Sequence, residues 1–200
     1  MERRPPKRGL EAAAFVDALS TLRYLSDMLE IITLGDERLL KRASVVADID
    51  KIIYDLSQAM VEAMHTGNGI GLAGPQVGEL KRLFVCHVQG DVPRVFINPE
   101  IVQTSQELVT MEEGCLSIPG IYADVVRPAE ISIQAWNEKG RPFRLDADGV
   151  LARVIQHEYD HLNGVLFLDH LSDKKRQRLL KVYNKKAETP CESYSPAAQK

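Results

Sequence analysis

Val150-Leu151-Ala152-Arg153-Val154-Ile155-Gln156-His157-Glu158-Tyr159-Asp160-His161-Leu162 is the stretch on which the reading of this 200-residue chain turns. Leu151, Val154 and Ile155 recur at helical spacing, which predicts a helix with one face in a core. Asp148 is a candidate N-cap and Asn163-Gly164 a stop. His157 and His161 are four residues apart, so both imidazoles leave one face of that helix and can reach a single ion. Glu158 follows the first histidine, where a carboxylate can take a proton from water activated at an open coordination position. The pattern points to a metal-dependent hydrolase. The competing reading is a solvated helix with two incidental histidines. The apolar neighbours disfavour it, because buried imidazoles need partners.

A third ligand decides the class. A protease with the longer His-Glu-x-x-His-x-x-Gly-x-x-His signature would need a histidine where this chain has Phe167. A zincin with a downstream glutamate would have to use Glu188, in a polar C-terminal stretch. Of the three cysteines, Cys86 lies in the apolar run Leu83-Phe84-Val85-Cys86-His87-Val88 and reads as core. Cys191 lies in a tail rich in Pro and Ser. Cys115, in Glu113-Gly114-Cys115-Leu116-Ser117-Ile118-Pro119-Gly120, sits in a loop or sheet edge suited to present a site. It is the best third ligand, giving two nitrogens, one thiolate and an open fourth position.

With these residues in view the chain resembles the peptide deformylases. Three motifs carry the resemblance, in order: Gly69-Ile70-Gly71-Leu72-Ala73-Gly74-Pro75-Gln76-Val77-Gly78, Glu113-Gly114-Cys115-Leu116-Ser117, and Gln156-His157-Glu158-Tyr159-Asp160-His161. The match runs from about Ile31 to about Leu171. It implies removal of the formyl group from the N-terminal formyl-methionine of new polypeptides. Glu158 is then the acid/base. The side-chain amide of Gln76 and the backbone N–H of Leu116 are the oxyanion donors. Ile70, Gly71 and Gly114 are implied to contact the peptide, and Ile70, Val154, Ile155 and His157 to line the methionine pocket. The resemblance also implies Fe(II) as the native ion, with Zn(II), Ni(II) or Co(II) suited to the same ligands. One departure is visible: the family's second alanine before Pro75 is Gly74, expected to add backbone freedom beside Gln76. A phosphate cradle in the Gly-rich run is excluded by the missing Lys and Ser/Thr of a P-loop. Two other classes compete with the deformylase reading. An internal-bond metallopeptidase is disfavoured by Phe167 and Cys115, and a non-catalytic homologue by the retention of Glu158, Gln76 and all three ligands.

The expected fold class is α+β, with mostly antiparallel sheets packed around a central helix carrying the His-Glu-x-x-His motif. Asp48 to His65 reads as a helix with the stripe Ile49, Ile52, Ile53, Leu56, Met60 and Met64, capped by Asp48 or Asp50. Strands are expected at 82–88, 94–98, 101–107, 121–127, 131–136 and 143–147, with a hairpin turn at Asn137-Glu138-Lys139-Gly140. Asp160 is a candidate partner for Arg127. The expected organisation is a helical N-terminal extension over 1–27, a catalytic domain over 28–171, a basic helix over 172–188 and a disordered tail over 189–200. Residues 172–188 hold seven Lys/Arg against two acids, in contrast to a whole-chain charge of −3 and a pI near 6.0. That excess suits contact with ribosomal RNA phosphates. No apolar stretch reaches membrane-spanning length, and no signal-peptide core follows the basic N-terminus. Three cysteines without pairable spacing suit a reducing, cytoplasmic setting, bacterial-type or organellar. Nothing in the sequence specifies an oligomeric state.

Overall fold

The structure, a computed structural model, describes residues 29–188; the helix expected over 1–27 and the tail expected over 189–200 lie outside them. Strands β1 (Gly71–Ala73), β2 (Leu83–Cys86), β3 (Arg94–Thr104), β6 (Ile131–Trp136) and β7 (Pro142–Ala147) form one sheet in the order β1-β2-β3-β6-β7. Strands β4 (Leu108–Cys115) and β5 (Ile118–Pro128) form a separate two-stranded sheet. Every pairing between strands is antiparallel. Helices α1 (Lys51–Thr66), α2 (Gly149–His161) and α3 (Asp173–Glu188) complete an α+β fold.

β2 shows how the core is built. Successive side chains point to opposite faces of a strand. Phe84 and Cys86 pack with Ala152 and Ile155 of α2, while Leu83 and Val85 pack with Met60 and Met64 of α1. Both faces are covered, which is why this strand reads as an unbroken apolar run rather than an alternating one. A third cluster joins Ile118, Ile121 and Val125 of β5 to Leu39 and Phe167, seating the β4–β5 hairpin.

Asp50 caps α1, its carboxylate accepting from the Ile53 N–H at 3.0 Å. Ile53, Met60 and Met64 are buried, but Ile52, expected in the apolar stripe, is 70% exposed. It stands one residue off the buried row, and at 100° per residue that turns it out of the core. The two strands expected at 94–98 and 101–107 are one strand, β3. Asn98 takes φ +49 there, and its side chain both accepts from and donates to the Val46 backbone at 2.8 Å. β3 bends without ending. β4 was expected only as a loop or sheet edge. Its inward positions are Val109, Met111, Glu113 and Cys115, and the acid among them hides the period-two pattern.

Candidate active site and metal centre

Three segments distant in sequence converge on one cleft of about 470 Å³ whose lining includes Ile70, Gly71, Gln76, Gly114, Cys115, Leu116, Val154, His157 and Glu158. α2 delivers His157, Glu158 and His161, respectively 8%, 3% and 1% exposed. Asp148 occupies its N-cap position, although its side chain makes no capping bond. The chain leaves the helix through Gly164 at φ +72, the left-handed conformation expected of the Asn-Gly stop. β4 delivers Cys115 at its last residue, where a register shift between Gly114 and Cys115 turns the chain.

Cys115, His157 and His161 each offer a ligand atom, all within 4.8 Å of one another. The Cys115 Sγ to His161 Nε2 separation is 3.3 Å. Tetrahedral coordination with bonds of about 2.0–2.3 Å spaces donors roughly 3.3–3.8 Å apart, so the set fits a transition-metal ion after small adjustments. Burial opposes protonation of His157, but hydrogen bonding to Cys115 and Glu113 prevails and raises its pKa to about 10. Burial and the neighbouring His157 push His161 well below the usual imidazole range. Glu158 is fully enclosed, and burial pushes its carboxyl up to about 7. Its Oε2 is buried with no hydrogen-bond partner among the described residues. An acceptor left in that state calls for a water or ligand to serve it.

Gln76 sits in a short 3-10 turn and is 1% exposed. The Ala73 N–H donates to its Oε1 at 2.8 Å, which fixes the amide orientation. Its Nε2 therefore points at Cys115 Sγ, 3.4 Å away, and at Ser117 Oγ, 3.2 Å away. Gly74, expected to loosen this turn, does the opposite. A Cβ there would stand 2.7 Å from the carbonyl oxygens of both Glu79 and Lys81, so the missing methyl lets that backbone close on the turn. Of the expected pair Val154 and Ile155, only Val154 faces the cleft; Ile155 is fully buried in the core beneath α2.

Glu113, to which the sequence motif alone assigns no role, organises the site. Each of its carboxylate oxygens accepts two hydrogen bonds. Oε1 takes Arg127 Nε at 2.7 Å and Arg153 Nη1 at 2.8 Å. Oε2 takes Arg127 Nη2 at 3.0 Å and pairs with His157 Nδ1 at 2.8 Å. Burial alone would raise this carboxyl, but His157 and Arg127 hold it well below the usual carboxylate range. The bond to Nδ1 fixes the ring of His157 and leaves Nε2 for an ion. Arg127 also donates to Asp160 Oδ2 at 2.6 Å, the pairing expected from sequence. Arg153 reaches the carbonyl oxygens of Val125 at 3.0 Å and Val109 at 2.8 Å, tying α2 to the hairpin. The available signal for Glu113 was its spacing: two residues before Cys115 on a strand, it shares Cys115's face.

Residues 28–177 match the family described as Polypeptide deformylase. The chain belongs to that family. A peptide deformylase of Prochlorococcus marinus (strain NATL2A) is 48% identical over 151 residues, covering 74% of this chain and 75% of the relative. One of Treponema pallidum (strain Nichols) is 46% identical over 155 residues, covering 78% and 95%. The crystal structure of a peptide deformylase from Synechococcus elongatus, in complex with actinonin, superposes with a TM-score of 0.75 at 44% identity, covering 78% of this chain and 86% of that one. Like its family this deformylase is a metal-dependent hydrolase that removes the formyl group from N-terminal formyl-methionine. No helix among its described residues is long and apolar enough to cross a membrane.

Proposed function

We propose that in this deformylase Cys115, His157 and His161 hold the metal, Glu158 moves the proton, and Gln76 with the Leu116 backbone N–H receives the negative charge developing on the formyl oxygen. When bound, the metal supplies Lewis acidity that makes water nucleophilic at neutral pH. Glu158 accepts the proton from that water and returns it to the departing amine, a task suited to a carboxyl whose pKa lies near 7. The Gln76 amide is locked before substrate arrives, so it reorganises little as charge develops. Gly71 and Gly114 run beside the peptide backbone, and Ile70, Val154 and His157 border the methionine side chain. The convergence of Gln76, Cys115, His157 and Glu158 on one cleft, with His161 Nε2 3.3 Å from Cys115 Sγ, carries this reading. The test is formate release from formyl-Met-Ala-Ser. Metal-loaded wild type should release it, and Glu158→Ala should not, at unchanged metal content. Cleavage of an internal peptide bond, or full activity in Glu158→Ala, would overturn the assignment.

Iron(II) is the proposed native ion, with Zn(II), Ni(II) and Co(II) accepted by the same two-imidazole, one-thiolate set. Metal analysis of anaerobically purified protein should find close to one iron per chain. The proposed setting is the reducing cytoplasm or organelle where chains begin with formyl-methionine. The exposed basic face of α3 is proposed to meet ribosomal RNA phosphates. Ribosome affinity should therefore weaken steeply with salt, and salt-independent or absent affinity would remove that partner.

A further inference from the structure

Gly67 and Gly69 enclose the side chain of Leu116 from two sides. A Cβ built on Gly69 would lie 2.6 Å from Leu116 Cδ1 and 3.2 Å from its Cγ. One built on Gly67 would lie 3.3 Å from Leu116 Cδ2. Backbone conformation does not demand glycine at either place. Gly67 has φ −76, and the left-handed residue of this loop is Asn68, at φ +55. What the two positions require is space: at Gly69 it is filled by Leu116, and at Gly67 Leu116 Cδ2 shares it with Ala63 O and Ile31 Cδ1, each 3.4 Å away.

The loop that forms this clamp is itself anchored. Gly67 N–H donates to Ala63 O at 2.9 Å and Gly69 N–H to Met64 O at 2.9 Å, fixing it to the end of α1. On the far side, His87 N–H donates to Ile70 O at 2.9 Å. Leu116 also packs on the cluster containing Met60, Met64 and Leu72. Its successor is held independently. Ser117 O accepts from Leu34 N–H at 2.8 Å, and Ser117 Oγ accepts from Gln76 at 3.2 Å. The Leu116 N–H itself lies in the preceding peptide, between Cys115, whose Sγ accepts from the Gln76 amide at 3.4 Å, and the gripped Leu116 side chain, which leaves that peptide little freedom.

We infer that Gly67 and Gly69 are positioning residues for catalysis, acting through the Leu116 side chain to hold the Leu116 backbone N–H where the oxyanion forms. This rests on the deformylase reading of Leu116 as an oxyanion donor. Truncation of Leu116 removes the grip without touching the N–H, and a methyl on Gly69 displaces the leucine. Misplacement of such a donor by about 1 Å costs on the order of 100-fold in rate.

The experiment compares metal-loaded wild type, Leu116→Ala, Gly69→Ala and the double variant in formate release, with metal content measured on each. Each single variant should lose roughly 10- to 100-fold in kcat, with KM and metal stoichiometry close to wild type. In the double variant Gly69→Ala should add nothing to the Leu116→Ala loss, because its target is gone. Should Gly69→Ala fail to fold, Leu116→Ala, which introduces no clash, decides alone. Wild-type kcat in Leu116→Ala, loss confined to KM or metal content, or multiplying losses in the double variant would overturn the clamp. An inactive metal-loaded wild type would instead overturn the deformylase reading and the clamp with it.

Discussion

Glu113→Gln is a near-isosteric change, and the geometry of Glu113 makes it severe. Two donors converge on each carboxylate oxygen: Arg127 Nε and Arg153 Nη1 on one, Arg127 Nη2 and His157 Nδ1 on the other. A glutamine offers one oxygen and one NH₂. Turned one way, the NH₂ faces both Arg127 and Arg153; turned the other, it faces Arg127 and forces His157 to switch tautomer to accept from it. The side chains of Glu113, Arg127 and Arg153 are only 4%, 5% and 7% exposed, so water cannot repair the loss. Asp160 still serves Arg127, but Arg153 retains only backbone carbonyls. Removing one partner of a buried ion pair costs about 3–5 kcal/mol, consistent with two charge-assisted bonds at about 1.5–3 kcal/mol each. Urea unfolding of the metal-free proteins at pH 7 should show that difference. Chelator competition should show metal affinity weakened roughly 10- to 100-fold, because the bond orienting His157 is gone. The pH dependence has a definite sign. Glu113 is held below its unfolded value of 4.5 in the native state, so its contribution is complete above that value and is lost as pH falls toward the native pKa. Wild type should therefore lose part of its advantage over Glu113→Gln on strong acidification. A variant within about 0.5 kcal/mol of wild type with unaltered metal affinity would refute this account of the network.

Three further outcomes follow from the site. Glu158 has a native pKa of about 7 against 4.5 unfolded, so its ionisation opposes folding progressively from pH 4.5 to 7 and fully above. Metal-free Glu158→Gln should gain on the order of 3 kcal/mol over wild type above pH 7 while losing formate release; no gain in urea unfolding would count against it. Gly71→Ala would drive a methyl into the Glu158 carboxylate and to 2.8 Å from Val154 Cγ1, costing about 1–3 kcal/mol and most of the activity, read by thermal melts and formate assay. Cys86 is fully buried, and burial raises its thiol to about 12, so iodoacetamide with peptide mapping should leave it unmodified in the native protein. Cys115 should become labelled only after chelation.

How much of this was legible in the sequence depended on whether each residue's partner was local. The spacing of His157, Glu158 and His161 is a property of one helix, and it is visible as soon as the helix is recognised. Cys115 was found because its flanking glycines and proline differ from the surroundings of Cys86 and Cys191. Glu113 was passed over because its meaning lies in Arg127, Arg153 and His157, which β-pairing and helix packing bring to it from 14 to 44 residues away. The same cause hid β4, whose inward acid reads as solvent-facing until its cationic partners are known. The role of Gly74 is hidden in the sequence for a related reason. Glycine in a sequence suggests freedom, but here the carbonyls of Glu79 and Lys81 occupy the space its side chain would need.

Charge balance links the site to the fold. Around Glu113 the buried and half-buried ions are two arginines, Arg127 and Arg153, and two acids, Glu113 and Asp160. That set is neutral without any contribution from the cleft. Within the cleft, a ligating Cys115 must be a thiolate, and Glu158 can act as a base only when ionised. Two negative charges therefore meet in a space where an uncompensated charge costs several kcal/mol. A divalent cation cancels both. Without it the chain finds the next-best cation, a proton: hydrogen bonding to Cys115 and Glu113 pushes His157 toward holding one against its burial, and burial does the same for Glu158. On this argument a divalent ion should displace protons from these groups on binding, and its affinity should rise with pH across the range in which they titrate.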